Sequence, residues 1–341
     1  MTLLRQGYGG QGVGDALLDG LMRVKRAPWL VIGVWLSTIV LALPLALVLQ
    51  EQIGAHLGAS MAAQAAADGV NFDWWNEFLA QTSGVGASFV PAILGFAAVM
   101  KNISTVADVT AMPTVIAIAV TMYLLLSMFL AGGILDRLAR DHDLGAGAFF
   151  SACGVYFVRF IRLGAIAAVV YWALFGPYHT WLFDEVYPAL TADITVERTA
   201  FFIRLGLYAA FLVPIYAFNI IFDYAKIRAV VEDRRSMIGA IVASWRFVRR
   251  HPVAVGAVYK INILVFLLVI GLYYLIAPGA SADTLAFAIG QLYIVLRVIV
   301  RLLFTASQTA LFQGRLAHAG YVARPIAKWP DSPAVEAIGP R

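Results

Sequence analysis

The chain has 341 residues, 61% of them hydrophobic and only 13% charged, with a mean hydropathy of +0.81. A soluble domain carries roughly 25% charged residues, so this composition cannot cover a water-facing surface and makes membrane insertion the first reading. The net charge of +5 is spread between apolar runs rather than along one face, which fits lipid headgroups and not nucleic acid; the single cysteine, Cys153, excludes an intrachain disulfide or a CxxC site.

In chain order, Gly7 to Gly12 formally matches GxGxxG, but no strand precedes it, so it reads as a tail or turn. Arg23, Lys25 and Arg26 then precede an apolar stretch, 28–50. That is longer than the roughly 7–15 residues of a signal-peptide core, so it reads as a retained first span. Residues 51–110 form an acidic insertion with an Ala-rich helix over 54–67 and the cluster Phe72-Asp73-Trp74-Trp75-Asn76. Trp74 and Trp75 are expected to anchor it at the outer interface, with a ligand-binding cap as the alternative. The stretch 84–100 is short and interrupted by Pro91, and reads as an interfacial or re-entrant helix.

Five further spans follow at 111–135, 160–178, 199–222, 252–277 and 284–312. Each reaches or approaches the ~20 residues that cross the hydrocarbon. Segments 1–27, 135–162, 223–251 and 312–341 hold 19 of the 25 Lys and Arg, whereas 51–110 and 179–198 are mostly acidic. The positive-inside rule puts the basic segments and both termini in the cytoplasm, and the Ala- and Gly-rich composition points to a bacterial inner membrane.

The chain also aligns with itself. Arg249, Arg250 and Pro252 fall on Lys25, Arg26 and Pro28, and Phe157-Val158-Arg159 fall on Phe247-Val248-Arg249. The expected architecture is all-α: a single membrane domain of three repeats, each an amphipathic helix plus a transmembrane hairpin, at about 12–135, 136–222 and 223–317, with a tail over 318–341. In 237–250, Met237, Ile238, Ile241, Val242, Trp245 and Val248 recur at helical spacing, with Trp245 expected at headgroup level. Ser236 is the expected N-cap, Pro252 starts the next span, and Asp15 is the expected cap in the first unit.

Little in the sequence carries chemistry. There is no P-loop, HExxH, GxSxG or paired-carboxylate motif, and the histidines lie outside the spans or at their ends. No catalytic residue, metal ligand or cofactor is expected. The sixth span places Arg297 near its midpoint and Arg301 one turn on, with Gln291 and Gln308 broadly on the same side. A charge at that depth costs from ~2.5 to over 10 kcal/mol, so the pair needs backbone carbonyls, polar side chains, a hydrated cavity, a partner or an anionic ligand. Asp136 and Asp223, at matching places in the first two repeats, are expected to act as structural caps, pairing with Arg140 and Lys226.

Carried by RVKRAP (23–28), FVRRHP (247–252) and FDYAKIRAVVEDRR (222–235), the layout resembles the membrane domain of the glycerophosphodiester phosphodiesterase family and, equally, uncharacterised bacterial six-span families. The resemblance covers most of the chain outside 51–110 and rests on no catalytic motif, so it transfers no enzyme activity. The expected function is that of a non-enzymatic accessory or scaffold subunit contacting anionic lipid headgroups and another membrane protein. The alternative is a transporter or flippase of an anionic amphiphile using Arg297 and Arg301.

Overall fold

The computed structural model describes residues 12–58, 60–68, 71–89, 114–140, 145–277 and 283–318. Their regular structure is helical: α1 (Val13–Lys25), α2 (Pro28–Leu57), α3 (Ala62–Asp68), α4 (Phe72–Gln81), a 3-10 turn (Gly86–Ser88), α5 (Thr114–Arg140), α6 (Ala146–Thr191), α7 (Glu197–Val231), α8 (Met237–Arg250), α9 (Pro252–Ile276) and α10 (Asp283–His318). Six of these, α2, α5, α6, α7, α9 and α10, are long and apolar enough to cross a membrane. The GxGxxG match, the stretch from 90 to 113 and the tail from 319 onward lie outside the described residues.

The helices outrun the apolar stretches that announce them. The 46 residues of α6 measure roughly 69 Å at 1.5 Å per residue, against ~30 Å of hydrocarbon. The acidic segment read as a loop at 179–198 is therefore helical as far as Thr191, with wide π turns at Leu174–Tyr178 and Trp181–Val186 around Pro177. Proline removes a backbone donor, and the ladder locally slips to accommodate the loss. Likewise α2 runs to Leu57 instead of ending at 50, and the chain breaks before α3, so no single Ala-rich helix covers 54–67.

Two helix junctions share one geometry. Between α1 and α2, Ala27 has φ −128° and ψ 55°; between α8 and α9, His251 has φ −131° and ψ 46°. In both, proline follows at the first helical position, where it cannot donate and where the preceding residue is disfavoured in the α region. On the alignment above, Arg162 stands where Pro252 stands, and α6 passes through that point unbroken.

The packed core sits at the end of the bundle that carries the basic segments. Along α5 the buried residues run from Gly132 to Leu138, on α7 they gather from Ile220 to Val231, and on α9 from Ala254 to Asn262. Opposite halves remain exposed, as at Ile118, Leu124, Phe202, Leu268 and Leu285. Gly20 lets α1 lie against α10: a Cβ there would stand 2.7 Å from the Ser307 backbone nitrogen. Gly132 and Gly133 do the same between α5 and α6, where Cys153 is fully buried.

Local signals account for the short helices. Asp15 accepts from the Gly12 backbone N–H at 3.1 Å, reaching back from the first turn of α1 rather than standing at its N-cap. Ser236 caps α8 by accepting from Gly239 at 3.2 Å. Before it, Asp233 turns the chain with φ 48°, a conformation Asp tolerates better than most residues. Met237, Ala240, Ser244 and Phe247 form the protein-facing side of α8, leaving Ile238, Val242 and Trp245 exposed.

Candidate functional site

Five helices enclose a cavity of about 740 Å³, to which α2 contributes Ser37 and Thr38, α5 Tyr123 and Ser127, α7 Asp223 and Lys226, α9 Asn262, and α10 Arg297, Arg301, Thr305 and Gln308. The rest of the wall is aliphatic, with Leu126, Leu130, Ile134, Ile263 and Phe266 prominent. From Arg297 to Gln308 the cavity follows α10 for roughly 16 Å, from the middle of the helix towards the basic end.

Both arginines expected to carry the site line it. Arg301 donates to the Tyr123 hydroxyl at 2.8 Å, using one of the five N–H donors of a guanidinium. Arg297 lies over the Tyr293 ring, 5.5 Å from its centroid. Gln308, 2% exposed, has a buried side-chain nitrogen with no hydrogen-bond partner. Asn262 is fully buried; its amide donates to the Val258 carbonyl at 2.8 Å and to Ser307 at 3.0 Å, while its side-chain oxygen finds no donor. An unpaired buried amide group costs about 1–3 kcal/mol, so two of them lining the cavity, from α9 and α10, point to water or a ligand within reach. Gln291, expected on the same side, accepts from the Trp35 indole at 3.1 Å instead.

The two aspartates pair as expected but do not cap. Asp136 and Asp223 lie inside α5 and α7, so neither caps a helix; their partners are Arg140 at 2.7 Å and Lys226 at 2.6 Å. Asp223 also accepts from the Tyr259 hydroxyl. Burial accounts for their place: fully buried Asp136 needs its charge met within one helical turn, and an i,i+4 arginine meets it.

The tryptophans also divide. Trp74 is 9% exposed, stacks on Phe78 with centroids 5.4 Å apart, and donates to His56 Nδ1 at 3.0 Å. Trp75 is half-buried and donates to the Phe89 carbonyl at 3.2 Å. Together these contacts fasten α4 to the end of α2 within the protein. Of these three, Trp245 is the exposed one, beneath the Arg249 guanidinium at 5.9 Å.

Asn262, Ser307 and Tyr123 were not singled out by the sequence reading. Asn262 could have been, as one of very few polar residues in the otherwise apolar run of α9. No protein-family model, curated protein or solved structure matches the chain.

Proposed function

We propose that the chain is a non-enzymatic membrane protein that holds an anionic amphiphile in the cavity at Arg297 and Arg301, serving as an accessory or scaffold subunit. One observation carries the reading: two arginines from the middle of a spanning helix line a largely aliphatic cavity that also contains the unsatisfied amides of Asn262 and Gln308. An acidic headgroup offsets the cost of charge at that depth, and the aliphatic wall suits an acyl chain.

In this reading the bundle is three units of amphipathic helix plus hairpin, set in a bacterial inner membrane with both termini cytoplasmic. The matched dihedrals at Ala27 and His251 support the kinship of the first and third units. The exposed Ile238, Val242 and Trp245 support α8 lying against lipid.

The test is native mass spectrometry of the Arg297→Gln/Arg301→Gln protein. Loss of copurified anionic lipid with an unchanged unfolding midpoint supports the reading, and unchanged lipid content sinks it. A second reading, movement of the amphiphile across the bilayer, draws on the cavity's extent along α10. Liposomes containing the protein and a fluorescent anionic lipid separate the two, since a holding protein leaves the rate of leaflet exchange unchanged.

A further inference from the structure

A second cavity, about 540 Å³, opens at the basic end, away from Arg297 and Arg301. Three helix C-termini converge on it: α7 brings Arg228 and Glu232, α8 brings Arg246 and Arg250, and α10 brings Arg315, with Arg234 from the turn and His251 from the α8–α9 junction.

The charges do not balance. Glu232 is shared, meeting Arg228 at 3.4 Å and pairing closely with Arg234. Arg228 also lies over the Phe312 ring at 5.0 Å. Among the described residues, Arg246, Arg250 and Arg315 have no carboxylate partner, and the buried Nε of Arg315 has no hydrogen-bond acceptor. Cations do stabilise helix C-termini, but each terminus presents only about half a negative charge. Around Arg246, Arg250 and Arg315 the negative helix ends are partial charges only, and the positive N-terminus of α9 at Pro252 offsets that of α8. Burial first, and then Arg315 and Arg250, hold the His251 imidazole below its ordinary range.

We infer that this cavity is a binding site for a phosphate-bearing anion, either the headgroup of an acidic lipid or a soluble phosphate, held by Arg246, Arg250 and Arg315. Guanidiniums match phosphate oxygens bidentately, and His251 supplies a further N–H. Beside the cavity, Val242 belongs to its wall and Ile238 and Val253 are exposed, so an acyl chain attached to the phosphate has an apolar flank to follow. The site is independent of the one at Arg297.

The test uses the full chain carrying Arg297→Gln/Arg301→Gln, so that lipid bound at the first cavity does not contribute. Inorganic pyrophosphate is titrated calorimetrically in detergent, and phosphatidic acid retention is measured after release from phosphatidylcholine nanodiscs doped with that lipid. Arg246 and Arg250 are both exposed, so the fold tolerates their replacement. Arg246→Gln/Arg250→Gln is expected to weaken whichever probe binds by roughly ten-fold or more. Arg249→Gln, which removes a charge next door but outside the cavity, changes binding by less than about two-fold. Pyrophosphate binding alone identifies a soluble ligand, and phosphatidic acid retention alone identifies a lipid headgroup. Failure of both probes to bind, or equal weakening by Arg249→Gln, overturns the site.

Discussion

The Arg301 guanidinium and the Tyr123 phenol meet at 2.8 Å although 178 residues separate them in sequence. Their bond ties the middle of α10 to the exposed half of α5, both of which line the larger cavity. Tyr123→Phe removes the bond and keeps the charge. The unfolding free energy is then expected to fall by only about 0.5–1.5 kcal/mol, with anionic lipid still retained. Paired unfolding curves and native mass spectra check this; lipid loss in Tyr123→Phe equal to that in Arg301→Gln shows that orientation, rather than charge, holds the lipid.

Gly20 sets the distance between α1 and α10. A methyl group there meets backbone atoms of Ser307 at 2.7 and 2.8 Å, and backbone does not swing aside as a side chain would. Gly20→Ala is expected to destabilise by about 1–3 kcal/mol. Gly33→Ala, with nothing within 4 Å of the new atom, stays within about 1 kcal/mol of wild type, and helix propensity favours the alanine. Thermal unfolding of both variants in one detergent is the comparison.

Trp74 holds α4 against the end of α2. Truncating so buried a ring costs about 3–5 kcal/mol, and Trp74→Ala also strands His56. Hydrogen exchange across 72–81 is expected to rise sharply while the amides of α7 and α9 stay protected. Uniform deprotection of the whole chain contradicts this local role.

His251 predicts a pH dependence with a definite sign. Desolvation, then Arg315 and Arg250, lower its pKa from 6.5, and the Phe247 ring packs 5.1 Å away. The folded state therefore binds its proton less readily than the unfolded chain does. Stability is fully present above the unfolded pKa and falls as the pH drops from there through the lowered folded value. Unfolding midpoints between about pH 5 and pH 8 should slope less for His251→Gln than for wild type. Pyrophosphate, by favouring the imidazolium, should flatten the wild-type slope as well.

What the sequence disclosed follows from how local its signals are. Apolar length revealed six spans, and Pro28, Pro252 and Ser236 marked helix starts because a missing donor or a capping hydroxyl acts within one turn. The packing of Trp74 was not legible, because an aromatic pair beside acidic residues looks alike at a membrane interface and in a small protein core, and His56 is brought near only by the extension of α2. For the aspartates, the partners one turn away were legible and the capping role was not, because helices that outlast their apolar stretch carry a terminal residue inward. Arg297 and Arg301 were legible as a cost to be met. The cavity that meets it was not, because its wall combines residues from Ser37 to Gln308 on five helices, and no local pattern encodes that convergence. The basic cavity was hidden in the same way: its arginines were counted as topology, and only the meeting of α7, α8 and α10 makes them one site.

The unequal junctions have a mechanical consequence. Ala27 and His251 are each a single residue outside helical geometry, whereas α6 continues as helix past Arg162. Arg159 on α6 is tied to Asp233 at 2.5 Å, beside the turn that feeds α8. The entry of α8 is thus moored to α6, while its exit at His251 leads directly into α9, a wall of the larger cavity.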